Sequence, residues 1–218
     1  KMALITDYEV DFEEFNYKVG YDFYLEYINH NHFREKFEQR LEHIKDKYVL
    51  NMDKELLLQN YFVEVFSWSV IPREVLLEIA EFLKKNDINV VIDPCCGTGF
   101  HTFLFDTFTR FSPLCCDNQP EPYSWLTVQE GDGEKFLDGL NDKEHEEGAL
   151  ILSWIDGDIL ARNLLAKFAG EVVISIGNYE GLSPGYLYDL RLNYECKKRF
   201  IPEMPWGLKE IIELYVRL

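Results

Sequence analysis

The run Val90-Val91-Ile92-Asp93-Pro94-Cys95-Cys96-Gly97-Thr98-Gly99-Phe100 constrains this chain more than any other passage. A β-branched run of strand length ends in an acid, crosses a short turn holding two glycines, and continues as a segment able to form a helix. In a parallel α/β sheet this is how a nucleotide-binding edge is built. Glycines let the backbone approach a ligand where a Cβ would collide, and the following helix start presents unpaired N–H groups.

The surrounding pattern agrees with such a sheet. From residue 88 onward, short apolar runs alternate with helical stretches. Strands are expected at 90–92, 114–116, 126–129, 149–153 and 171–176, with helices at 102–110, 134–140 and 159–168 between them. That alternation implies right-handed crossovers and a Rossmann-like α/β fold, a mainly parallel sheet with helices on both faces. Residues 195–201 and 210–218, joined by Pro202-Glu203-Met204-Pro205-Trp206-Gly207, are expected to pair as an antiparallel C-terminal edge.

Before residue 86 the period is helical. Phe37, Leu41, Ile44 and Tyr48 form one apolar stripe, and Val75, Leu76, Ile79, Phe82 and Leu83 form another. Pro72 fits the first turn of the second helix, and Lys84-Lys85-Asn86 closes it. Residues 1–65 are therefore taken as a helical N-terminal extension or lid, and 66–218 as the α/β domain. Tyr17, Tyr21, Phe23, Tyr24 and Tyr27 suit a helix on the sheet edge, where it would close a crevice, pack as core, or face a partner protein.

Charge narrows the partners. Lys plus Arg total 22 against 39 Asp plus Glu, a net charge of −17 that repels a phosphate backbone and makes nucleic acid an unexpected substrate. Five cysteines, four of them in the pairs Cys95-Cys96 and Cys115-Cys116, do not have the spacing of a secreted disulfide framework. A reducing, cytoplasmic compartment is expected. The four thiols are read as strand-end packing before any metal or redox role, so no metal is expected. Residues 1–15 are acidic without an apolar stretch, and no run of 18 apolar residues occurs, so neither a signal peptide nor a membrane span is expected.

Three acids fall at strand ends. Asp93 closes the first strand, Asp117 the second, and Asp132 lies just past the third in Glu130-Gly131-Asp132-Gly133. A carboxylate at the second position suits a ribose diol, because its two oxygens accept from adjacent hydroxyls. An acid at the third can accept from an adenine amino group, although Asp132 fits a solvated turn equally well. Thr102 stands where a dinucleotide fingerprint wants a third glycine, which argues against NAD.

On these residues the chain resembles the class I S-adenosylmethionine-dependent methyltransferases, whose signature is an acidic strand end followed by a glycine-rich turn. Here Cys95 replaces the first glycine of that turn. The resemblance covers roughly residues 66–218, with its specific part at 90–133. It implies S-adenosylmethionine as cofactor, with Gly97 and Gly99 against the methionine part, Asp117 on the ribose, and Asp132 on the adenine. Asp93 and Gly133 belong to the same cofactor site. Phe66-Ser67-Trp68-Ser69-Val70-Ile71-Pro72 resembles a Trp- and Pro-containing element that borders the cofactor in some members. By residue type alone, Trp68 would be a core residue.

The fourth strand ends Ser153-Trp154-Ile155-Asp156-Gly157-Asp158. Amino-methylating members often carry a Pro-Pro-aromatic tetrad here; this chain keeps a Ser and an aromatic without the prolines. Ser153 is assigned to the cofactor site, Trp154 to the sulfonium or an aromatic acceptor, and Asp156 to proton acceptance, although Asp156 suits a cap of the next helix equally well. Asp158, before Ile159 and Leu160, fits a helix N-cap. Asn178, Tyr179 and Glu180, after the fifth strand, are candidates to meet the acceptor, and His101 is expected to pack or cap beside the turn rather than act as a base. The function implied is S-adenosylmethionine-dependent methyl transfer to a small molecule or protein side chain. The alternative is a catalytically idle methyltransferase-like subunit that acts through a protein partner.

Overall fold

A computed structural model describes residue 27 and residues 29–44, 63–155, 157–177, 184–202 and 209–218. Elements follow in the order α1 (Asn31–Ile44), α2 (Arg73–Lys85), β1 (Val90–Asp93), α3 (Phe100–Thr109), β2 (Ser112–Asp117), β3 (Gln129–Glu130), α4 (Gly133–Asp138), α5 (Asp142–Glu146), β4 (Gly148–Ser153), α6 (Asp158–Lys167), β5 (Val172–Gly177), α7 (Pro184–Asn193), β6 (Tyr194–Phe200) and β7 (Ile211–Arg217). The strands make one sheet in the order β3-β2-β1-β4-β5-β7-β6. The pairs from β3 through β5 are parallel. β7 runs antiparallel to both β5 and β6. Thus the C-terminal hairpin is not simply appended: its second strand is inserted beside β5, and β6 is left at the edge.

The strand residues alternate between two cores, as a sheet covered on both faces requires. Val91, Ile151, Ile174 and Leu214 face one core with residues of α1, α2 and α3. Ile92, Leu150, Val173 and Tyr215 face the other with residues of α4, α6 and α7. The first core is dominated by rings. Phe33 of α1 lies 5.0 Å from Trp125 and also contacts Tyr27, Phe66, Phe100 and Phe103, so α1 shares the core of the sheet. Arg40, fully buried on the same helix, donates to the carbonyls of Val65, Pro122 and Glu64, satisfying three backbone acceptors with one guanidinium.

Several local expectations are corrected. The third strand is only Gln129–Glu130, because the residues before it tie themselves to other segments. Trp125 N–H donates to Thr98 O at 2.9 Å, and its indole Nε1–H donates to Val65 O at 2.8 Å, which draws this stretch across the glycine turn. The helix expected at 134–140 stops at Asp138, and α5 follows it, started by an Asn141/Glu144 capping box. α7 was not anticipated. Pro72 is the N-cap of α2, one position earlier than expected. Leu41, Ile44 and Tyr48 have no described side chains, and Tyr17, Tyr21, Phe23 and Tyr24 lie outside the described residues. Among the described residues, no helix is long and apolar enough to cross a membrane.

Candidate functional site at the carboxyl edge

Strand order reverses between β1 and β4, and open α/β sheets form their ligand crevice outside the carboxyl ends of the strands at such a point. Asp93, Asp117, Ser153 and Gly177 all end strands on this edge. Because β7 is antiparallel, its first residue, Ile211, pairs with Gly177, which brings the preceding Glu210 to the same edge.

The glycine turn is built on hydrogen bonds from the neighbouring strands. Cys96 N–H donates to Cys116 O at 3.0 Å, and Gly97 N–H donates to Asp117 Oδ2 at 2.8 Å. The other Asp117 oxygen accepts from Gln119 N–H at 2.9 Å. Gly97 and Gly99 have φ of +54° and +73°, the left-handed region that disfavours a side chain. No atom stands within 4 Å of where a Cβ on Gly97 would be, so its backbone face is open. Gly133 is a glycine for another reason: a Cβ there would lie 2.5 Å from Pro94 O, so the turns after β1 and β3 are packed main chain to main chain.

Asp93 is sealed beneath this turn at 2% exposure and accepts Cys95 N–H at 3.3 Å. Burial pushes its carboxyl up to about 7, against the Cys95 hydrogen bond, and the nearby Asp117 adds to the rise. Asp132 is the N-cap of α4, and its Oδ1 accepts Lys135 N–H at 2.9 Å. The capping role accounts for one of its oxygens. His101 is buried with Nε2 3.1 Å from Ser69 O, and burial lowers its pKa to about 4, so a neutral ring donates to that carbonyl. Burial, together with the adjacent carboxylates, raises the Cys95 thiol to about 12, an environment that keeps it protonated. All five cysteines are free, and among the described residues no group of three or more His, Cys, Asp or Glu side chains could hold a metal ion.

The segment before α2 is bound to the turn at three places. Thr98 Oγ1 donates to Phe66 O, Trp125 to Val65 O, and His101 to Ser69 O. Those anchors leave Trp68 at 54% exposure, which corrects the core reading of this residue. Its ring stacks on Trp154 with centroids 6.0 Å apart. Trp154 itself sits just past β4 with φ +47°, a left-handed backbone that a bulky residue rarely adopts. Its N–H donates to Ile176 O at 3.0 Å, and its indole Nε1–H donates to Glu210 Oε2 at 3.1 Å.

Glu210 was not singled out from the sequence. It is 2% exposed, and its Oε1 has no hydrogen-bond partner among the described residues. Burial raises its pKa to about 7, opposed by the Trp154 and Ile211 hydrogen bonds. The only available signal was an acid at the mouth of an apolar strand, and its neighbourhood depends on the reversed insertion of β7. Asp158 also departs from expectation. Gly157 is the N-cap of α6, while Asp158 Oδ1 accepts Tyr186 N–H of α7 at 2.6 Å, so this acid caps the neighbouring helix. Asp156, Asn178, Tyr179 and Glu180 lie outside the described residues.

No protein-family model matches the chain, and no curated protein matches it. Solved structures do. The METTL16 methyltransferase domain is similar over 99% of this chain and 98% of its own, at 12% identity and a TM-score of 0.51. A mutant of MtNAS in complex with S-adenosylmethionine is similar over 97% of this chain and 85% of its own, at 12% identity and a TM-score of 0.52. The fold is that of the class I methyltransferases. In this methyltransferase fold, the expected turn and acids stand together on one edge, with the Trp68–Trp154–Glu210 chain beside them.

Proposed function

We propose that this protein transfers a methyl group from S-adenosylmethionine to a small molecule or a protein side chain. One observation carries the reading: an open-faced left-handed glycine in the turn after β1 is hydrogen-bonded to the carboxylate that ends β2, at the point where strand order reverses. The donor set fits an adenosyl group. Each Asp117 oxygen accepts one backbone N–H and keeps a lone pair, which suits two neighbouring hydroxyls. Gly97 and Gly99 offer bare main chain to the methionine part, Asp132 keeps Oδ2 for the adenine amino group, and Trp68 and Ser153 border the crevice.

When bound, the cofactor supplies a methyl already activated by its sulfonium. The protein's task is then to orient the acceptor, exclude water and receive a proton where the acceptor carries one. Asp93, neutral at pH values up to about 7, limits negative charge beneath the turn. Trp154 stands on the acceptor side, its partly buried ring stacked on Trp68.

Calorimetry with S-adenosylmethionine, S-adenosylhomocysteine and NAD tests the reading. Binding of the first two without NAD is expected. Binding of NAD alone, or of none, overturns it.

A further inference from the structure

The Trp68–Trp154–Glu210 chain leads from solvent to a carboxyl oxygen that has no hydrogen-bond partner among the described residues. Trp68 is exposed, Trp154 is partly buried against it, and Glu210 is buried behind Trp154. A buried polar atom without a partner is costly, and few native structures keep one without a purpose. Trp154 is additionally held in left-handed backbone, a strain that commonly gathers at ligand sites. Both features meet at one hydrogen bond, that from Trp154 Nε1–H to Glu210 Oε2.

We propose that this crevice takes a basic amine as the methyl acceptor, with its nitrogen held against Glu210 Oε1 and its carbon chain along the Trp154 and Trp68 rings. The inference rests on the methyl-transfer reading above and names its substrate class. A hydroxyl could also donate to Oε1, but it would leave the carboxylate charge uncompensated and gain nothing from two indole faces, which attract cations. An ammonium satisfies all three groups. No salt bridge joins Glu210 to a cation among the described residues, and a chain of net charge −17 draws cations toward its surface. The same oxygen gives the ammonium proton a destination: it moves from nitrogen to Oε1 and leaves the amine with its lone pair free.

Ligand-observed NMR with n-butylammonium and n-butanol, a charged and an uncharged probe of the same length, tests the proposal without a known substrate. Butylammonium is expected to bind at least about 10-fold more tightly than butanol, and Glu210→Gln to remove that preference. Trp68→Ala, at an exposed position that does not threaten folding, is expected to weaken butylammonium about threefold and leave butanol unchanged. Equal binding of the two probes, or a full preference retained in both variants, overturns the assignment. If Glu210→Gln fails to fold by circular dichroism, Trp68→Ala decides. Parallel calorimetry with S-adenosylmethionine separates the two readings: amine binding without cofactor binding sinks methyl transfer alone, and the converse sinks the amine site alone.

Discussion

The two halves of the carboxyl edge differ in how fully their polar groups are used. On the β1–β3 side, Asp93, Asp117 and Asp132 each accept a backbone N–H, and the turns they support are locked to one another through Pro94 and Gly133. On the β4–β7 side, Trp154 is strained and one Glu210 oxygen has no partner among the described residues. The first half is preorganised, so a ligand meets groups already in place. The second is left incomplete, and an acceptor would finish it. On the proposed reading, preorganised cofactor binding beside an acceptor site is a division of labour suited to a transferase.

The largest expected effect tests what supports the preorganised half. Phe33→Ala removes a ring packed among seven aromatic neighbours and is expected to lower stability by about 3–5 kcal/mol in urea denaturation. A loss below about 1 kcal/mol would mean that α1 is peripheral and that this half stands without it. Next, Asp117→Ala deletes the acceptor for Gly97 and Gln119 and is expected to weaken S-adenosylmethionine about 100-fold by calorimetry. An unchanged affinity would place the cofactor elsewhere.

The glycines sharpen the contrast further. Gly133→Ala drives a Cβ into Pro94 O and is expected to destabilise by about 2 kcal/mol, whereas Gly97→Ala meets no atom and carries only its left-handed backbone penalty, about 1 kcal/mol. Equal losses in thermal melts would show that the two turns are not locked together as described.

The smallest effect is a pH dependence. Asp93 and Glu210 are raised to about 7 in the folded chain, above their unfolded values of about 4. Between those limits the folded state therefore holds two protons that the unfolded state has lost, and stability falls as pH rises. His101, lowered to about 4, works the other way up to about pH 6.5, because the unfolded ring takes up a proton that the folded one refuses. The melting temperature should therefore be higher at pH 5 than at pH 8, with the steepest fall between pH 6.5 and 7. Glu210→Gln should recover part of the loss at pH 8 and none at pH 5. A melting temperature that rises with pH through this window would assign both carboxyls wrongly.

Much of this protein follows from periodicity and local chemistry. The strand-acid-turn run at 90–100, the alternation of short apolar runs with helices, and the pairing of the last two strands are local patterns, and the structure contains each of them. Gly97 and Gly99 were legible as turn glycines with bare main chain, while their left-handed φ came from the structure. Other features depended on distant partners. The third strand shrank because Trp125 bonds to Thr98 and Val65, residues that no window around 126 contains. Trp68 became a surface residue because its neighbours are anchored to the turn, and Asp158 caps a helix that starts 26 residues later.

Sequence alone determined the sheet, its glycine turn and the acids at its strand ends, because these depend on spacing within one segment. Tertiary structure alone decided that β7 enters antiparallel beside β5. That insertion carries Glu210 to the edge occupied by Trp154, 56 residues away, and closes it from water. Burial is a property of the assembled sheet, and no window around residue 210 contains it.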